Sequence, residues 1–263
     1  IDAAPTSVEE FEADMQTAKD AGILPMMTYA KDGGTSFVFQ ALMANNSSAE
    51  DVQNWILQKS GTFDNQAAQD AASTLQDWNN KGYMPEGVNA VDASTALSRF
   101  CNGEGLFFPS GNWNLDTVAK ALGDDVQFFA FPGATSEDEP NVAANAGAFY
   151  GIPVNAKNRD AAAAFLDYTQ SAEAQQIIVD NSGYLPKSST SDLKANSALQ
   201  QSMFDAYADV LMSGHTSDFI NNATAGMQSS GLIPNFQLLL DNSITPQEFT
   251  KNVQAQYDKE AKQ

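Results

Sequence analysis

Pro5-Thr6-Ser7-Val8-Glu9-Glu10-Phe11, followed by Gly22-Ile23-Leu24-Pro25-Met26-Met27-Thr28-Tyr29, reads as a capped helix that turns into a strand. Thr6 and Glu9 stand at capping-box spacing, and Val8, Phe11, Met15 and Ala18 recur on one helical face, which predicts a helix to about Asp20. Gly22 suits the helix end. The apolar run from Ile23 to Tyr29 then suits a buried strand, kept short or near an edge by Pro25.

The same alternation continues along the chain. Helices are expected over Thr35–Ala44, Asp51–Gln58, Asn65–Asn80 and, capped by Asp92, up to Phe100; Asn102-Gly103-Glu104-Gly105 then turns into a strand at Leu106-Phe107-Phe108-Pro109. Trp113–Leu122 reads as a helix, Val126–Phe131 as a strand, 133–141 as a polar loop and Ala146–Val154 as a further strand. An Ala-rich helix with Phe165, Leu166 and Tyr168 follows, then a short one over 171–180. From about Ala198 the pattern is helical, with a start signal at Thr245-Pro246-Gln247-Glu248. Helix and strand in alternation predict an α/β fold with a mixed or mostly parallel sheet, whose ligands bind beyond the carboxyl ends of strands.

The chain has 263 residues, 43% of them hydrophobic, enough for a sizeable core. Its formal net charge is −20, from 33 acidic against 13 basic residues, which argues against a basic surface for nucleic acid or anionic lipid. The single cysteine, Cys101, excludes an internal disulfide framework and a multi-thiolate zinc site, and its helical setting reads as a small buried hydrophobe. Trp55 and Trp78 are expected in the core, and His215 on the surface with no second ligand at metal spacing. No metal or cofactor is expected. Nucleophile-elbow, phosphate-loop and zinc motifs are absent, as is a carboxylate pair set at two strand ends for glycoside hydrolysis, so the chain is not read as an enzyme.

Taken in order, Pro5–Phe11, Gly111-Asn112-Trp113, Gly147-Ala148-Phe149-Tyr150-Gly151-Ile152-Pro153 and Ser182-Gly183-Tyr184-Leu185-Pro186 resemble family 1 of the extracellular solute-binding proteins of carbohydrate ABC importers, the group typified by maltose-binding protein. The resemblance implies a periplasmic-binding-protein-like, two-lobed clamshell of the class II type. It places residues 1–145 in the first part of the C-terminal lobe, has 146–188 cross to the N-terminal lobe, and returns 189–263 to the C-terminal lobe as closing helices. In that family a first segment of the N-terminal lobe precedes the phrase that opens this chain, so a C-terminal portion with an incomplete N-terminal lobe is expected.

The function so implied is a monomeric receptor, extracytoplasmic in the periplasm or lipid-anchored at the cell surface, with its signal sequence outside this chain. It would bind a mono- or oligosaccharide and deliver it to ABC permease subunits in the membrane. A peptide or polyamine receptor is the alternative, and an acidic secreted glycoside hydrolase a more distant one. Sugars ask for an aromatic plate against the ring face and amides or carboxylates for the hydroxyl rim. The resemblance assigns these roles to Trp113 with Asn112 and Asn114, to the loop bearing Tyr29, Lys31 and Asp32, and to Gly147, Ala148, Phe149 and Tyr150. Alternation along a strand would bring only one of Phe149 and Tyr150 to the ligand.

Overall fold

The computed structural model describes residues 1, 3–144, 150–182 and 194–261. Helix α1 (Val8–Asp20) starts one residue later than the Thr6 cap implies: Ser7 Oγ accepts from the Glu10 N–H at 3.1 Å, and the Glu10 carboxylate turns back to accept from the Thr6 N–H (2.8 Å) and hydroxyl (2.7 Å). Ser7 is therefore the N-cap, and Glu10 bonds back to Thr6, one residue before it. Phe11, Met15 and Ala18 are buried on the face that the periodicity selects.

Helices α2 (Thr35–Asn45), α3 (Ala49–Ile56), α4 (Gln66–Asn80) and α5 (Ala93–Cys101) lie close to their expected places. The strands do not. Ile23–Tyr29 and Leu106–Pro109 meet at one isolated parallel bridge between Met26 and Phe107. Around it Leu106 N–H donates to the Leu24 carbonyl, Phe107 N–H to Pro25 and Met27 N–H to Phe107, at 2.7–3.0 Å, while Met26 N–H turns to the Tyr83 carbonyl on its other side. Pro25 has no N–H to extend that second pairing, and the pairing stays local.

Val126–Phe131 forms no strand; its Phe128 N–H donates to the Ser202 hydroxyl at 2.9 Å, a side chain rather than a ladder partner. Of the strand expected over Ala146–Val154, residues 146–149 lie outside the described residues and 150–154 are not in a strand. The strands among the described residues are β1 (Val142–Ala143) and β2 (Thr216–Ser217), a parallel pair with Val142 opposite Thr216 and Ala143 opposite Ser217. Val142 N–H donates to the His215 carbonyl (3.0 Å) and Ala144 N–H to Ser217 (2.8 Å).

The chain divides into two compact units. One contains residues 1–110, 130–144 and 209–263. Its core is aromatic: Phe39 packs its ring 5.2–5.6 Å from those of Phe63, Phe236 and Phe249, and Trp55 stacks on Tyr257 at 4.7 Å. Phe236 lies on α10 (Ile233–Leu240), which follows a π-helical stretch over Met227–Leu232; Phe249 and Tyr257 lie on α11 (Pro246–Ala261). The predicted start of α11 is a complete capping box, with Thr245 N–H on the Glu248 carboxylate (2.8 Å) and Glu248 N–H on Thr245 Oγ1 (3.2 Å). Trp55 and Trp78 are 3% and 0% exposed, as their spacing predicts.

The other unit contains residues 111–129 and 145–208. Helix α6 (Leu115–Leu122) packs on α8 (Ala172–Ser182), and α9 (Ala198–Ser213) carries the chain back to the first unit. Leu115, Val118, Ala174, Val179, Leu199, Met203 and Phe204 are buried here, whereas α7 (Arg159–Tyr168) buries none of its residues and leaves Phe165 and Tyr168 exposed. Cys101 is half-buried, and burial raises its thiol pKa. No helix among the described residues is long and apolar enough to cross a membrane.

Because Phe39 has no exposed surface and touches three other core rings, Phe39→Ala should lower the unfolding free energy by about 3–5 kcal/mol. Equilibrium denaturation checks this, and a loss below about 1 kcal/mol would mean that the cavity closes by repacking.

Candidate functional site

Tyr29, Lys31 and Asp32 lie on one loop between the Met26 bridge and α2, and each is already engaged. Tyr29 is 5% exposed; its ring covers Gly34, where an added methyl would run into it, and its carbonyl accepts from the Thr35 N–H at 3.1 Å. Burial, reinforced by the Asp32 carboxylate, raises the phenol pKa, so the hydroxyl stays protonated as a neutral donor. Lys31 Nζ pairs with Asp92 at 3.2 Å, and Asp32 accepts from the Ala93 N–H at 2.9 Å. Both charged residues thus fasten the loop to the start of α5.

Asp92 completes that fastening. Its carboxylate caps α5 by accepting from the Thr95 N–H at 2.8 Å, and the Thr95 hydrogen bonds, with Lys31 behind them, lower its pKa from the usual 3.8 to about 2. Gln228, at the π-helical stretch, also holds the loop, donating to the Asp32 carbonyl at 3.0 Å. The oxygens Thr28 Oγ1, Thr35 Oγ1 and Gln228 Oε1 are buried without hydrogen-bond partners among the described residues. Such atoms are costly, and π-helical turns recur where function demands irregular backbone. Nothing in the sequence links Gln228 to the loop, since 196 residues separate it from Asp32.

Asn112, Trp113 and Asn114 lie in the other unit, as one 3₁₀ turn leading into α6. The aromatic plate is at the surface: Trp113 is 40% exposed and Asn112 and Asn114 are half-buried. The indole folds back over Gly111, where a side chain would run into its six-membered ring. Tyr150, in the same unit, is 68% exposed; Gly147, Ala148 and Phe149 lie outside the described residues. The structure therefore gathers the candidates into two groups, one per unit. A cavity of about 480 Å³ beside Asn79, Met84, Asn89 and Asp241, and one of about 280 Å³ beside Pro5, Gly133 and Asp138, include none of them.

A profile of the family described as bacterial extracellular solute-binding protein matches residues 1–204. The chain belongs to this family. A search of curated protein sequences finds no match. Among solved structures, a chitin oligosaccharide binding protein superposes on this solute-binding protein with a TM-score of 0.83 at 19% identity, over 99% of this chain and 65% of that one. A sugar transporter from Bacillus licheniformis, in complex with stachyose, gives 0.73 at 13% identity over 98% and 67%. RafE from Streptococcus pneumoniae gives 0.75 at 14% identity over 98% and 65%.

This solute-binding protein thus spans about two thirds of the length of the structures it matches. At such identities the likeness establishes the fold, that of the two-lobed solute-binding proteins expected from the sequence. The family is one of binding proteins.

The depressed carboxyl of Asp92 has a pH signature. Its pKa is lower in the folded chain than in the unfolded one, so its contribution is complete above about pH 4 and lost as pH falls toward 2. The stability gap between the wild type and Asp92→Ala should follow that window in denaturation series at successive pH values. A gap unchanged from pH 6 to pH 2 would rule out a carboxylate-dependent cap.

Proposed function

We propose that this protein is the carbohydrate-capturing receptor of an ABC importer, acting as a monomer on the outer side of the cell membrane and delivering a mono- or oligosaccharide to a permease. The observation that carries the reading is the Asn112-Trp113-Asn114 turn. A 40% exposed indole between two half-buried amides, in a family of solute-binding proteins, offers one apolar plate and hydrogen-bonding groups at its edge. Neighbours described as binding chitin oligosaccharide, stachyose and raffinose support the sugar class.

In this reading residues 1–110, 130–144 and 209–263 form one lobe, and the segment 146–188 crosses to the other together with 111–129; Tyr29, Lys31, Asp32, Gly147, Ala148, Phe149 and Tyr150 contribute to the ligand site alongside the turn. Tyr29 is a protonated donor. Lys31 and Asp32 act mainly through the loop they hold, because their charged groups already face Asp92 and Ala93. Binding favours the closed arrangement of the lobes to the extent that the ligand prefers it. The protein performs no catalysis and uses no cofactor.

A thermal-shift screen tests this, applied both to the 263-residue chain and to a chain extended to the relatives' length, with chitin oligosaccharides, raffinose and stachyose beside peptides and polyamines. One sugar class should raise the melting temperature of the extended chain more than that of the shorter one. Trp113→Ala should weaken binding at least about tenfold, ~1.4 kcal/mol. Stabilisation by a peptide or polyamine alone would discard the carbohydrate assignment, and glycoside turnover would replace the receptor reading with a hydrolase.

A further inference from the structure

Two side chains on α2 grip the strand pair that flanks the chain's passage between the units. The chain leaves the first unit after Ala144, directly beyond β1, and returns at Asp209, seven residues before β2. β1 and β2 are two residues each, joined by the hydrogen bonds at Val142 and Ala144, too short a ladder to persist on backbone bonding alone. What holds them is lateral. Gln40 is 2% exposed and uses its whole amide: Nε2 donates to Ser217 Oγ (3.0 Å) and to the Asp218 carbonyl (2.7 Å), and Oε1 accepts from the Ile220 N–H (3.0 Å).

One and a half turns along the helix, Asn45 holds the other strand's approach. Its Nδ2 donates to the Pro132 carbonyl and its Oδ1 accepts from Asn141 Nδ2, both at 2.9 Å. On α3, Gln53 adds an acceptor for the Asp218 N–H at 2.6 Å. A buried primary amide with three directed bonds to one segment is costly to leave unpaired, so the segment is pinned rather than merely packed.

We propose that α2 is a two-point clamp, with Gln40 and Asn45 as positioning residues that make β1, β2 and their flanking residues open and close as one local unit. Since α2 starts at Thr35, where the Tyr29 loop ends, the clamp also ties that loop to the passages between units. This proposal stands on hydrogen-bond geometry and holds whatever the ligand.

Amide hydrogen exchange on the 263-residue chain, resolved by residue, tests it. Gln40→Ala should accelerate exchange about ten- to a hundredfold at Asp218 and Ile220 and also at Val142 and Ala144, which Gln40 does not bond. Asn45→Ala should do the converse, accelerating Asp218 and Ile220 across the pair, and it carries the test if the core variant fails to fold. The Ala96 amide in α5 should keep its rate in both variants. Acceleration confined to each variant's own strand would overturn the clamp, as would equal acceleration at Ala96.

Discussion

Burial of α2 on almost every face is the constraint around which the first unit is arranged. From Thr35 to Ala44 every residue except Phe37 is buried. A helix apolar on all sides has to be enclosed, and α3, α4, α10 and α11 supply the enclosure through the rings gathered about Phe39 and Trp55. The one large polar side chain in that environment, Gln40, is tolerated because each of its amide atoms has a partner.

The loop that leads into this helix is held by charge rather than by core packing. Lys31 and Asp32 have the composition of a ligand-facing pair, yet their first partners are Asp92 and the α5 backbone. An exposed ion pair of this kind adds little stability by itself, about 0–1 kcal/mol. Its effect is geometric: with Gln228 it limits where Tyr29 can stand, so that the loop is preset. The aromatic turn at Trp113 is preset differently, by the bare Cα of Gly111 beneath the indole.

What the sequence disclosed and what it concealed divide by range. Caps and amphipathic faces are local, so Asp92, Thr245 and the buried Trp55 and Trp78 stand in place from spacing alone, and Ser7 displaces Thr6 by a single position. Strands need partners from elsewhere. The apolar runs 23–29 and 106–109 have strand composition but meet at a single bridge, 126–131 forms no strand, and among the described residues two pairs of residues reach a ladder. The candidate site follows the same rule: the helix expected from Trp113 begins at Leu115, with Asn112–Asn114 as a 3₁₀ turn at its entrance, while the contribution of Gln228 depends on a fold that returns after 196 residues.

The distribution of indoles gives the protein a built-in optical separation. Two of its three tryptophans are sealed, Trp78 completely and Trp55 behind a hydrogen bond to Gln254, while Trp113 is open to solvent. Emission from the sealed pair comes from a dry, rigid setting, whereas that of Trp113 is solvent-relaxed and accessible to a collisional quencher. The red edge of the intrinsic fluorescence is therefore the spectrum of a single residue, and it is the residue on which the carbohydrate reading turns.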